Sequence, residues 1–323
     1  MAERPLASLS LDLDNRWCYM KTHGDRGWES LPSYLDVLVP TVLEFLKQRG
    51  LRITFFVVGQ DAAREANAGL LAGIAAAGHE IGNHSFRHEP WLHSLSAADV
   101  EEDITRAEQA ICAATGRTPV GFRGPGYGTS ATLIRVLARR GYLYDASTLP
   151  TFLGPLARAY YFRTARLSAE EKKRRKDLFG TWRNGLLPIR PYAWECEGRR
   201  MVEIPVTTMP LLRLPIHVSY ILYLSRFSLR LARAYAAAAV RLCLATGAEP
   251  SVLLHPLDFL GADDIAGLRF FPAMDLPGER KRRMTGEVLD LFGARFRWVS
   301  LEEHARQALA RERLPVRRLD GRL

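Results

Sequence analysis

The sequence predicts an α/β fold whose parallel strands close into a barrel. Three observations carry that expectation. Short apolar or β-branched runs alternate with longer amphipathic ones along most of the chain. Such units are too many for an open sheet. Side chains able to do chemistry sit where the short runs end, as they do in parallel α/β barrels.

Taken in order, LASLSLDLD alternates with period two and ends in acids, like a strand. SYLDVLVPTVLEFLKQRG reads as a helix closed by Gly50. RITFFVVG is the next strand, followed by a helix from about Asp61 to Gly78, and HEIGNH is short and extended. Ser96 opens SAADVEEDITRAEQAICAATG as an N-cap, with Asp99 at the capping-box position and Gly116 at the close. PVGFRG, a helix from about Ser130 to Gly141, YLYDAS and a strand-like MVEIPV continue the alternation. SVLLHP, a helix near Gly278 to Gly293, FRWVS and a last helix opened by Ser300 complete it. Between about residues 150 and 249 only MVEIPV reads as a strand. The chain is therefore expected to be one domain, 1–323, with much of 150–249 inserted on the barrel.

Of the 323 residues 47% are hydrophobic and 25% charged, ordinary for a globular core. Cys18, Cys112, Cys196 and Cys243 lie far apart, which excludes a disulfide framework and a zinc knuckle and points to reduced thiols in a cytoplasmic protein. MAERPLASLSLDLDN holds no apolar stretch long enough for a signal peptide, so the chain is not expected to be exported. No window reaches the roughly 18 apolar residues of a spanning helix. The nearest candidate, Met209 to Ala245, is broken by Arg213, Pro215, Arg226, Arg230, Arg233 and Arg241.

The net charge is +10, and much of the excess falls between Arg158 and Arg200 and in the closing RERLPVRRLDGRL. An anionic partner and a merely solvated surface both fit that balance. Within the amphipathic segment 209–246, Arg226, Arg230 and Arg233 fall on one helical stripe beside an apolar face. A helix lying in an anionic membrane interface and a core-packing helix with arginines toward water both fit this pattern. No helix-turn-helix, RNP or zinc-finger pattern is present, and no nucleic acid is expected.

HEIGNHSFRH places His79, His84 and His88 within ten positions. The spacing of His84 and His88 lets both imidazoles reach one ion, whereas His79 falls outside it. Asp12 and Asp14 point to one face of their strand, and two adjacent carboxylates repel. One bound cation removes the conflict, leaving one acid as ligand and the other as base. Asp14, His84 and His88 would make three protein ligands with open positions, a catalytic rather than structural pattern. Zinc is the first expectation, with cobalt, nickel and manganese compatible.

The set SLDLDN, HEIGNHSFRH, FRGPG, YDAS and LLH resembles the ordered motifs of the polysaccharide deacetylases, the NodB-homology or carbohydrate esterase family 4. The resemblance runs from about residue 7 to 150 and resumes near 251 to 300. Five motifs in order make it far more specific than any one alone. Within the family the chain is most similar to a cytoplasmic branch acting on lipid-linked amino sugars. The resemblance implies a distorted (β/α)₇ barrel that hydrolyses amides of N-acylated sugars with a divalent metal. Residue by residue, Asp12 resembles the catalytic base, and Asp14, His84 and His88 the metal ligands. Arg123 resembles the arginine that holds the base, Asp145 lies in the acid motif of the fifth strand region, and His255 resembles the general acid. A carboxylate beside His255 would favour its charged form, and Asp145 and Asp258 are both candidates. Two departures stand out. Leu13 separates the first-motif acids, with Asn15 in place of the usual glycine, and Gly126 follows Pro125 where an aromatic residue is usual. The oxyanion donor would then be the Gly126 N–H, with Tyr127 placed to pack on the sugar or simply within the protein.

The expected activity is removal of an acetyl or formyl group from a lipid- or nucleotide-linked amino sugar at the cytoplasmic face of the membrane. A deacetylase of another carbohydrate or a metal-free amidase on the same fold, and a non-enzymatic basic protein binding nucleic acid or membrane, are the alternatives. Retention of Asp14, His84 and His88 counts against metal-free action, and the absent nucleic-acid motifs against the nucleic-acid-binding protein.

Overall fold

The computed structural model of the protein describes residues 4–319 except Asp177. Residues 1–3 of the amino-terminal stretch read above, and residues 320–323 at the end of the basic closing run, lie outside the described residues.

β1 (Leu6–Asp12) is buried along its whole length, because its two faces meet different layers. Ala7, Leu9 and Leu11 join the main apolar core beneath the helices. Ser8, Ser10 and Asp12 alternate with them on the inner face. Small serines there leave room for large polar partners: Ser8 Oγ lies 2.9 Å from His304 Nδ1, and Ser10 Oγ accepts from Arg123 at 2.8 Å.

β2 (Thr54–Val57), β3 (Glu80–Asn83), β4 (Gly121–Phe122), β5 (Tyr144–Asp145), β7 (Arg199–Glu203) and β8 (Ser251–Leu254) join β1 in seven parallel strands, ordered β7-β5-β4-β3-β2-β1-β8. A bond from Thr207 N–H to Ser251 O (3.1 Å) brings the chain beyond β7 against β8 and closes the ring. This is the expected seven-stranded barrel. Its distortion is concentrated at β4 and β5, two residues each. A Cβ on Gly121 would lie 1.9 Å from the Tyr144 ring, so a glycine is what lets that tyrosine cross the interior. The helices Leu35–Gln48, Glu65–Ala76, Ala97–Thr115, Leu229–Thr246 and Gly278–Gly293 supply much of the main core. Ser96 caps its helix as expected, accepting from Asp99 N–H, and Gly116 ends it in a left-handed conformation.

The remaining strands flank the barrel. β9 (Arg297–Val299) pairs with β1, β6 (Tyr192–Cys196) runs antiparallel to β7, and β10 (Val316–Arg318) pairs with β6. β6 corrects the expectation of a single strand between residues 150 and 249. Its tight turn, Glu197–Gly198, has φ of 51° and 75°, both left-handed, as a two-residue hairpin requires. The hairpin escapes a reading by hydrophobic period because YAWEC is only five residues long and sits inside a basic stretch.

The arginine stripe also differs from the membrane-facing arrangement. Arg226 pairs with Asp275 at 2.9 Å, and Arg233 holds Glu287 of the helix Gly278–Gly293 through two bonds of 2.9 Å. Two of the three arginines thus pair with neighbouring segments of the same chain. Among the described residues no helix is long and apolar enough to cross a membrane.

Candidate active site

The C-terminal ends of β1, β3 and β4 deliver the first group of side chains. Leu13 N–H bonds to Phe56 O (2.9 Å), so the extended path continues one step past β1 and carries Asp14 to the same side as Asp12. Leu13 itself points into the core. Asn15 then turns the chain, accepting from Arg16 N–H as N-cap of the helix Arg16–His23. After β3 the loop winds through two left-handed residues, Ser85 (φ 64°) and His88 (φ 49°), pinned by His88 N–H to Ser85 Oγ and Ser85 N–H to Asn83 Oδ1. Non-glycine residues adopt that conformation only where the surroundings enforce it. Here the result is that both histidines face Asp14.

Asp14 Oδ1 lies 3.3 Å from His84 Nε2 and 3.0 Å from His88 Nε2. His84 Nδ1 is 2.7 Å from Arg123 O, and donating there leaves Nε2 as a lone pair aimed at the aspartates. Burial opposes ionisation of Asp14, yet His88 and His84 outweigh it and hold the carboxyl far below the usual range. Burial likewise opposes a charge on His84, and Asp12 and Asp14 together push it upward. The site therefore favours positive charge between these groups.

A divalent ion fits that place. Ligand atoms about 2.0–2.2 Å from one ion at tetrahedral to right-angle separations lie about 3.0–3.4 Å from each other, as the Asp14 oxygen does from each of the two imidazole nitrogens. Asp14 Oδ1 is also buried without a hydrogen-bond donor among the described residues. Cys18, one turn into the helix after Asn15, joins Asp14 and His88 in a cluster whose ligand atoms lie within 4.8 Å of one another. Burial, with Asp14 and Asp61 next, pushes its thiol well above the usual value.

Asp12 is held separately. Its Oδ1 accepts from Arg123 Nη1 at 2.8 Å, while Arg123 Nε donates to Ala146 O at 2.9 Å. The guanidinium is wholly buried and stacks 4.4 Å over Phe56. Asp12 Oδ2 stands 4.0 Å from His84 Nε2. Arg123 thus fixes Asp12 beside Asp14 and His84.

The neighbouring strand, β8, carries His255 directly after it and pairs with β1 up to Leu11 and Leu254. Its Nδ1 lies 3.2 Å from Ser219 Oγ, and that hydroxyl donates to Asp258 Oδ1 at 2.7 Å. Asp258 Oδ2 also accepts from His255 N–H at 2.8 Å. Of the two carboxylates considered for His255, Asp258 makes the contact, through Ser219. Asp145 is elsewhere: it accepts from Ser147 Oγ and faces Glu203 across β5 and β7. Burial first, then Glu203, pushes Asp145 well up; burial also raises Glu203, whose oxygens accept from Trp194 Nε1 and Thr148. The two buried carboxyls face each other within the barrel wall, a placement that YDAS alone does not reveal.

Pro125–Tyr127 forms a tight turn with Gly126 at φ 63° and Tyr127 at φ 61°. Its bonds run from Tyr127 N–H to Gly124 O and from Gly128 N–H to Pro125 O, with Gly126 N–H in neither. The Tyr127 ring lies 6.4 Å from His217, whose ring is 5.7 Å from His255 and 4.3 Å from Tyr220. His217 and Ser219, at the start of the helix Val218–Ser225, are functional candidates that sequence reading misses. Their signal, an H-x-S within IHVSYILYL, is indistinguishable from an ordinary helix start. Burial, then His255 and Arg123, holds His217 well below its usual pKa. A third missed residue is Asp61, which accepts from Trp17 Nε1 (3.0 Å) and Asn15 Nδ2 (2.7 Å) and so fixes the indole edge-on to His88.

Residues 25–144 match the family described as Polysaccharide deacetylase, a span that includes His84, His88 and Arg123. The chain is similar to a chitin deacetylase of Pestalotiopsis sp, 30% identical over 31% of this chain and 34% of that one. It is also similar to a peptidoglycan deacetylase of Helicobacter pylori, 26% identical over 50% of this chain and 55% of that one. The chain thus spans between a third and about half the length of these curated relatives. A solved Mycobacterium smegmatis structure assigned to the polysaccharide deacetylases shares the fold, with a TM-score of 0.57 at 19% identity over 97% of both chains. Ordered motifs and sequence matches agree in their likeness: over residues 25–144 the chain is similar to the polysaccharide deacetylases, and its barrel is shared with the solved structure.

Proposed function

We propose that the protein hydrolyses the N-acyl amide of an amino sugar, with a divalent metal ion held by Asp14, His84 and His88. The observation that carries this reading is the convergence of both Nε2 atoms on Asp14 Oδ1, beside an Asp12 fixed by Arg123. When bound, such an ion supplies Lewis acidity to the attacking water and the amide carbonyl. Asp12, oriented by the guanidinium, takes the proton from that water. Gly126 N–H, left out of the turn's own bonds, is the donor for the developing oxyanion. His255 donates a proton to the leaving nitrogen, its Nδ1–H held by Ser219 and Asp258 so that Nε2 faces the reaction.

The relatives' names, for chitin and peptidoglycan, support an N-acetyl group on a glycan; a formyl group is the alternative. For the carrier we infer a lipid-linked precursor at the cytoplasmic face of an anionic membrane, in preference to a nucleotide-linked one. What supports this is the distribution of exposed apolar side chains: among the described residues twelve of the fifteen large ones lie between Phe152 and Leu244, among them Trp182, Leu186, Leu211, Leu212 and Phe227. Exposed apolar tips beside arginines suit a membrane interface.

Elemental analysis of wild type beside His84→Ala and Asp14→Ala, with release of acetate or formate followed on N-acyl amino sugars, tests the reading. About one metal per chain, lost in both variants together with hydrolysis, is expected. A wild type that no added divalent ion populates overturns the ligand set.

A further inference from the structure

His217 stands at the barrel mouth with nothing to bond among the described residues. It precedes the helix Val218–Ser225, is 5% exposed, and its Nδ1 is buried without a partner. No hydrogen bond or ion pair among the described residues engages its Nε2 either. Other buried histidines behave differently. Ile53 N–H bonds to His79 Nδ1 at 3.2 Å, and His304 lies 2.9 Å from Ser8 Oγ and 3.2 Å from Glu249. A buried imidazole that bonds nothing is the exception, because folding takes it from water and supplies no substitute. At the mouth of the candidate site, the substitute is a group that the substrate brings.

The neighbours of His217 say which group. Its ring packs between the loop of the oxyanion donor and the loop of the general acid. On one side the Tyr127 ring, next in the chain to Gly126, lies 6.4 Å away. On the other the His255 ring lies 5.7 Å away, at 64° to it. Tyr220, three residues on, packs edge-on to it at 4.3 Å. An amide hydrolysed here has its oxygen near Gly126 and its nitrogen near His255, so the imidazole borders the place where the carbonyl becomes tetrahedral. We propose that His217 donates a ring N–H to the developing oxyanion, as a second donor beside Gly126. The proposal rests on the amide-hydrolysis reading.

In that step the water oxygen bonds to the carbonyl carbon, the water proton passes to Asp12, and the π pair moves onto the oxygen that Gly126 and His217 hold. Collapse returns the pair to the carbonyl as the C–N bond breaks and the nitrogen takes a proton from His255. His217 keeps its own proton throughout. A neutral imidazole suits the task. Burial first, then the charges of His255 and Arg123, hold His217 well below its usual pKa, and Tyr127 and Tyr220 are its other titratable neighbours. While His255 is protonated, His217 therefore offers one N–H and no charge, so it neither repels the acid nor competes for its proton.

The full chain with zinc added tests this through His217→Leu, which has no donor, and His217→Gln, which restores an N–H, both checked as folded by circular dichroism. The probes are N-acetyl- and N-formylglucosamine as substrates, and N-methylphosphonyl glucosamine, whose tetrahedral P–O⁻ stands for the oxyanion. His217→Leu is expected to lower kcat about 10²–10³-fold, the usual cost of one oxyanion donor, with KM and metal content unchanged. Affinity for the phosphonamidate, measured by calorimetry, should fall by a similar factor. His217→Gln should recover most of both. A kcat near wild type in His217→Leu, or a glutamine variant that binds the phosphonamidate no better than the leucine one, overturns the oxyanion role. A raised KM with kcat kept overturns it in favour of a contact to a sugar hydroxyl. Hydrolysis that survives His217→Leu leaves the amide-hydrolysis reading standing, whereas a wild type that hydrolyses neither amide and does not bind the phosphonamidate overturns both.

Discussion

The two walls of the candidate site are built by different means. On the metal side, Asp12, Asp14, His84, His88 and Arg123 all belong to the barrel strands or the residues just past them, and their contacts are with one another. On the acid side, His255 and Asp258 follow β8, but Ser219, which joins them, comes from the helix Val218–Ser225 some forty residues earlier. One wall is a property of the barrel alone. The other is complete only because the segment between β7 and β8 folds back over the barrel mouth.

The largest effect expected from this division is on the metal side. Asp12→Asn keeps an acceptor for Arg123 but removes the base. Hydrolysis should fall by about 10²–10⁴-fold, the usual contribution of a general base, with metal content unchanged by elemental analysis. A rate near wild type would break the assignment of base and ligand to separate carboxylates.

Asp61 tests whether the support behind the metal wall carries a stability cost. Burial lifts its carboxyl to about 6, with Asn15 and Trp17 pulling the other way. A carboxyl raised in the folded state contributes stability that is full below its unfolded pKa of about 4 and is lost as pH rises through the folded value. Between about pH 4 and 7 that amounts to about 3 kcal/mol. Asp61→Asn should therefore flatten the decline across this window in urea unfolding with chelator present. An identical pH dependence in both proteins would sink the idea.

On the acid wall the expected change is smaller and more diagnostic. Ser219→Ala removes the hydroxyl that fixes the His255 ring while leaving Asp258 bonded to the His255 backbone. A roughly tenfold lower kcat is expected, about 1.4 kcal/mol in the barrier, with KM and metal content unchanged. Ser219→Thr should recover most of it. Loss of KM alone, or failure of threonine to rescue, would reduce Ser219 to a packing residue.

The same division explains what the sequence made legible. Every metal-side residue sits at a strand end within a short local pattern, D-x-D or H-x₃-H or FRGPG, and strand ends in a barrel converge by construction. Period and spacing therefore carried the barrel and marked the side chains that it brings together, Asp12, Asp14, His84, His88 and Arg123. Ser219 is legible only through its contact with His255, a pairing of distant segments that no local pattern encodes. Asp145 misleads for the complementary reason: it too ends a strand, but its neighbour is Glu203 on β7, and the two carboxyls answer each other. The β6–β7 hairpin escaped because its strand is short and partly charged.

The insertion offers the smallest and most selective test. A helical wheel assigns Arg226, Arg230 and Arg233 one role, but the fold pairs Arg226 with Asp275 and Arg233 with Glu287. Arg233 and Glu287 are about half and a third exposed, so solvent screens them, and such pairs contribute at most about 1 kcal/mol. Arg233→Gln should lower unfolding stability by less than that and leave co-sedimentation with anionic phospholipid vesicles unchanged. Trp182→Asp combined with Leu211→Asp, which alters exposed apolar tips and no ion pair, should weaken vesicle binding instead. If Arg233→Gln alone abolished binding, the stripe would be the lipid contact after all, and the pair with Glu287 would be one that opens at the membrane.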